Sequence, residues 1–138
     1  MPMVRTFLDA GVLIAAFQGQ TEQSQKALAA LNDPNREFVA STSLKLELLP
    51  QPTWHHRQTE IDFYDGYFTG AQHYAPASES LAASALAMAG VHGLEALDAL
   101  HVAAASQFGA AEFITTEKLV KPIHRVNAPK IIYLPNYS

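Results

Sequence analysis

Four short apolar runs, most of them separated by helix-like stretches, constrain this chain more than any other feature of its sequence. VRTFL (4–8), EFVAST (37–42), AEFITT (111–116) and KIIYLP (130–135) have the length and composition of strands. The order strand, helices, strand, helices, strand, strand predicts a three-layer α/β/α sandwich around a short, mainly parallel sheet. With 138 residues, 49% of them apolar, the chain can bury a core without staples, so a single domain over 1–138 is expected.

Local signals set the helix boundaries. Thr21, with Ser24 three positions on, caps a helix whose apolar stripe is Ala27, Leu28 and Leu31, and Asn32, Asp33 and Pro34 stop it. Ser41 or Ser43 caps SLKLELL, which the prolines of LPQPTW are expected to end. Trp54 to Gln72 reads as a long helix or a broken pair. Ser78 opens LAASALAMAG, with Gly90 as its end, and Leu94 to Gln107 forms a further Ala-rich helix ended by Gly109.

Composition removes several functions. Nine Lys plus Arg against thirteen Asp plus Glu give a net charge of −4, which excludes a uniformly basic nucleic-acid coat and leaves a local basic groove or a metal to meet a polyanion. Without cysteine there is no disulfide, thiol nucleophile or thiolate zinc site, and a cytoplasmic location is the default. The apolar N-terminus is interrupted by Asp9 and reads as folded structure rather than a signal peptide, and no run approaches a membrane span.

Against this background three acids stand in apolar surroundings: Asp9 in TFLDAGVLIAAF, Glu47 in LKLELLP and Asp98 in GLEALDALHVAAA. Leu94 and Val102 flank Asp98 one helical turn away on each side, and Glu95 and His101 share roughly its face. A fourth acid, Glu117, follows ITT at a strand end. Strand ends and adjacent helix starts line the crevice in which open α/β sheets bind ligands. Carboxylates converging there without matching cations repel one another unless a hard divalent ion such as Mg²⁺ or Mn²⁺ neutralises them, and such ions promote phosphodiester hydrolysis.

Each acid also has an ordinary role open to it. Asp9 can cap the following helix, Glu47 can sit on a solvated face, Asp98 can make a buried hydrogen bond, and Glu117 can belong to a turn. Other catalytic patterns are missing. Gly11 occupies the place of the second Asp of a dehalogenase-like phosphatase, and no P-loop, GxGxxG, GxSxG or HExxH occurs despite six histidines. His55 and His56 are adjacent and do not face the same way on a helix.

Taken together, FLDAGVLI, TSLKLELL, LEALDALHVAAA and FITTEKLV resemble the four acidic motifs of the PIN-domain family, in particular the VapC-like ribonuclease toxins of bacterial toxin–antitoxin pairs. The resemblance spans nearly the whole chain, and DALHVAAA is its most specific part. It implies metal-dependent RNA hydrolysis, with Asp9, Glu47, Asp98 and Glu117 as catalytic, Mg²⁺- or Mn²⁺-binding residues, and a small antitoxin as partner. Thr115 matches the hydroxyl residue two before the fourth acid. Gly11 stands where the family often has Ser or Asn, and Glu117 where it usually has Asp.

Lys118, Lys121, Arg125, Lys45 and Arg5 are candidates to steer an RNA substrate, or are a solvated rim. Trp54, Phe63, Tyr64, Tyr67 and Phe68 exceed one core stripe and suggest a homodimer or antitoxin surface, with base stacking as the alternative. A DNA-directed nuclease using the same acids, and a catalytically silent PIN-like module that binds protein or RNA, are the competing functions.

Overall fold

The computed structural model describes residues 3–137; Met1, Pro2 and Ser138, the extremities of the expected domain, lie outside the described residues. In chain order the elements are β1 (Val4–Leu8), α1 (Ala10–Gln18), α2 (Glu22–Leu31), β2 (Arg36–Ser41), α3 (Thr42–Leu48), α4 (Pro50–Trp54), α5 (Gln58–Gly70), β3 (His73–Ala75), α6 (Glu79–His92), α7 (Ala96–Gln107), β4 (Glu112–Thr115) and β5 (Lys130–Tyr133). The strands form one parallel sheet in the order β3-β2-β1-β4-β5. From β1 the chain steps one way to β2 and β3, then crosses back to β4 and β5. Right-handed crossovers in opposite directions put helices on opposite faces, giving the expected PIN-like α/β/α sandwich.

Both faces of the sheet are therefore buried, as the near-continuous apolar strands require. Phe7, Leu8, Val39, Phe113 and Ile114 are fully buried, and the Phe7 and Phe113 rings stack at 5.0 Å. The hydroxyls read as caps act as such: Thr21 accepts from Ser24 N, Ser41 from Leu44 N and Ser78 from Leu81 N. At the edge opposite the strand ends, Arg36 bonds Asp33, Glu112 and the Tyr137 hydroxyl, tying β2, β4 and the C-terminal segment together.

Several local expectations are corrected. A fifth strand, β3, lies in HYA, too short to show a period in sequence. The prolines after Leu49 do not simply terminate a helix, because Pro50 takes the first position of α4, where its missing N–H has no intrahelical partner to lose. Gly90 is inside α6, and the helix ends at Gly93, whose φ of 70° is the left-handed conformation of a C-cap.

The aromatic segment also divides differently. Tyr64 is completely buried and Tyr67 nearly so, since α5 lays them against Phe17 of α1 and Phe38 of β2, with ring separations of 6.1 and 5.7 Å. These two residues belong to the core. Trp54, 78% exposed, is the member left on the surface.

Candidate active site

Strand order reverses between β1 and β4, so the connections leaving their paired C-terminal ends run to opposite sides and open the crevice characteristic of open parallel sheets. Asp9 leaves β1 at this point, and its N–H donates to the Ile114 carbonyl of β4 at 3.1 Å. Its Oδ1 accepts from Val12 N at 3.1 Å, capping α1, while the Thr115 hydroxyl donates to Oδ2. The capping role and a place at the crevice thus coexist in one side chain. Burial raises the Asp9 carboxyl to about 6, against the lowering effect of the Thr115 and Val12 bonds and of His101; the Glu47 charge adds a smaller rise.

Glu47 reaches the same region from α3. Its Oε1 lies 2.6 Å from His101 Nε2, and His101 Nδ1 lies 3.1 Å from the Ser43 hydroxyl, which in turn lies 2.9 Å from Ser41 Oγ. The imidazole is buried beneath Phe7, with ring centroids 5.5 Å apart. It links α7 to α3 by hydrogen bonds at both nitrogens, the polar-neighbour role that a histidine in an apolar helix needs.

Asp98 stands in the first turn of α7 and is half-buried. Burial raises its carboxyl, Glu117 raises it next, His101 opposes the rise, and Glu47 and Glu95 add to it. These couplings bring the four sequence-identified acids into one electrostatic neighbourhood. Glu117 follows β4 in a turn, its N–H donating to Thr115 Oγ1 at 3.0 Å and its carbonyl facing His124 Nε2 at 2.7 Å. The turn role and proximity to the acids again coexist.

Among the described residues, no Lys or Arg is ion-paired to Asp9, Glu47, Asp98 or Glu117. An all-oxygen donor set of this kind fits Mg²⁺ or Mn²⁺ chemically. Its present side-chain positions are more open: among the described residues, no three His, Cys, Asp or Glu side chains are grouped closely enough to hold one ion.

Three of the five basic candidates already have partners, Arg125 donating through Nη1 to the His92 carbonyl at 3.2 Å. Arg5 lies near the start of β1, away from the crevice, and pairs with Glu37 at 2.7 Å. Lys45 lies over the Phe68 and Tyr74 rings, 5.3 and 5.1 Å from their centroids. Lys118, Lys121 and Arg125 are exposed after β4. A separate apolar groove of about 780 Å³ runs along α3 and α4, lined by Lys45, Leu46, Leu49, Pro50 and Trp54 among others. Its lining carries none of the four acids, so we assign it no part in the chemistry.

Sequence reasoning anticipated His101 as a polar partner but not Ser43 as its support. Nothing local in sequence signals that Thr116 stands where a Cβ on Gly11 would project.

No protein-family profile matches the chain, and no curated protein matches it. Solved structures do. A toxin–antitoxin complex from Klebsiella pneumoniae superposes with a TM-score of 0.67 at 19% identity, covering 94% of this chain and 97% of the other. VapBC2 from Rickettsia felis, bound to a DNA fragment from its promoter, gives a TM-score of 0.66 at 13% identity, over 93% and 97%. The chain therefore shares its PIN-like fold, over nearly its whole length, with these two structures. Among the described residues, no single helix is long and apolar enough to cross a membrane.

Proposed function

We propose that this chain is a metal-dependent endoribonuclease, the toxin component of a two-protein module acting in the cytoplasm. The observation that carries the reading is the set of acids at the switch point of a parallel sheet, Asp98 raised by Glu117 and Glu47 and Asp9 by Glu47, with no Lys or Arg ion-paired to them among the described residues. A fold needs no such arrangement, whereas a divalent cation on a phosphodiester does. Asp9, Glu47, Asp98 and Glu117 would hold Mg²⁺ or Mn²⁺. When bound, the ion supplies charge neutralisation at the phosphate and an activated water for hydrolysis.

The chain's own residues orient this donor set. Thr115 and Val12 fix both oxygens of Asp9, and His101 sets the direction of Glu47 from a buried, two-sided hydrogen bond. Lys118, Lys121 and Arg125 can meet an RNA backbone beyond the crevice. The toxin–antitoxin composition of both similar structures supports an antitoxin partner. Exposed Leu46 and Trp54 offer apolar area for that partner or for a homodimer.

The open placement of the donors favours a second reading, a PIN-like module that binds protein or RNA without cutting. In that reading Glu47 serves as the structural hydrogen-bond partner of His101 rather than as a metal ligand. Cleavage of a mixed RNA pool with Mg²⁺ or Mn²⁺, compared with Asp9→Asn, separates the two. Asp9-dependent, EDTA-sensitive cleavage supports the nuclease; RNA or partner binding with no cleavage in either metal supports the module.

A further inference from the structure

Gly11 lies in the first turn of α1, two residues after Asp9, and the side chain of Thr116 covers its Cα. A Cβ at residue 11 would overlap the Thr116 hydroxyl and come within 3.0 Å of Thr116 Cβ and 3.2 Å of its methyl group. Rotating a short β-branched side chain can carry its hydroxyl away but leaves its Cβ at 3.0 Å, so the two segments must also part by a few tenths of an ångström. The backbone in question is tightly held. Thr115, immediately before it, donates to Asp9, and Glu117, immediately after it, is anchored through its N–H to Thr115 and through its carbonyl to His124.

We propose that Gly11 and Thr116 form a positioning pair: the empty side-chain place at residue 11 seats Thr116 against α1 and thereby sets the Glu117 carboxylate in the crevice for a divalent cation. The pair touches neither the ion nor RNA and acts through Glu117. This role rests on the metal-dependent reading above. It also explains how a residue in the first turn of α1 controls one that follows β4: the two segments meet at a contact with no slack.

The test is Mn²⁺ binding to the full chain by electron paramagnetic resonance, which needs no RNA and no turnover, with a thermal melt for every variant. Gly11→Ala, a change that ordinarily favours a helix, is expected to weaken Mn²⁺ binding about 10-fold. In a Glu117→Gln background the same change is expected to cost less than about 2-fold, because the group it acts through is already lost. In a Thr116→Gly background it is also expected to cost little, because the overlap is gone. If Gly11→Ala does not fold, Thr116→Gly carries the test, since it removes the contact without a clash: it weakens Mn²⁺ binding in the parent chain and not in Glu117→Gln.

Equal losses in the parent and Glu117→Gln backgrounds, or no loss in the parent, overturn the pair while leaving Asp9-dependent Mn²⁺ binding intact. A parent chain with no Asp9-dependent Mn²⁺ binding overturns the metal reading itself, and the pair's role with it.

Discussion

His101 Nε2 lies 2.6 Å from Glu47 Oε1, although the histidine side chain is 1% exposed and the glutamate side chain 38% exposed. A buried ring on α7 thus holds a solvent-reachable acid on α3, and the same ring lowers the carboxyls of Asp9 and Asp98. His101→Gln keeps a donor and much of the volume but removes the capacity for positive charge. The Asp9 and Asp98 carboxyls are expected to rise further, read by carbon-detected NMR titration of metal-free protein, and stability is expected to fall by about 1–3 kcal/mol through the disturbed Ser43 and Glu47 bonds. Unchanged carboxyl titrations would show that the ring acts on geometry alone.

The Asp9 carboxyl gives stability a defined pH dependence. Burial pushes it from its ordinary value of 3.8 up to about 6 in the folded protein. Below pH 3.8 it is protonated in both states and imposes no cost. As pH rises toward 6 the unfolded chain releases the proton first, so stability falls; above 6 both states are ionised and the loss is complete. The full effect is on the order of 3 kcal/mol, and Asp9→Asn is expected to remove it. Urea unfolding of metal-free parent and variant from pH 3.5 to 7.5 checks this; parallel stability curves would contradict it.

Asp98 is half-buried and raised by its acidic neighbours, so neutralising it relieves repulsion in the metal-free state. Asp98→Asn is expected to melt at the same or a higher temperature without metal, yet to lose nuclease activity. Retained cleavage at the parent rate, in protein shown free of contaminating nuclease, would remove Asp98 from the site.

The aromatic residues separate into two classes by burial. Tyr64→Ala is expected to destabilise by about 3–5 kcal/mol, because it empties a core position beside Phe17. Leu46→Glu with Trp54→Ser is expected to leave the melting temperature within a few degrees while weakening self-association or antitoxin binding, since both side chains are largely exposed. Sedimentation and partner titration at fixed salt distinguish these outcomes from a purely solvated groove.

What the sequence disclosed follows from the range of the interactions involved. Asp9, Thr21, Ser41 and Ser78 were legible because a cap and its recipient N–H lie three residues apart. The parallel sheet was legible because its central strands are largely apolar and most of the strands are joined by helices. Periodicity could not say which side of α5 docks, so Tyr64 and Tyr67 looked like surface anchors. It could not place Arg5 at the opposite end of β1 from Asp9, and it gave three-residue β3 no signal. The Gly11 and Thr116 contact depends on β1 and β4 being neighbours, which only the sheet order shows.

Asp9, Glu47, Asp98 and Glu117 are proposed to form one cation site. Crystals of the chain soaked in Mn²⁺ and measured for anomalous scattering test it most directly. The expected result is a peak bounded by Asp9 and Asp98, with Glu47 and Glu117 joining directly or through water, and loss of the peak in Asp9→Asn. Saturating Mn²⁺ with no peak among these side chains, in crystals whose packing leaves the crevice open, would contradict it.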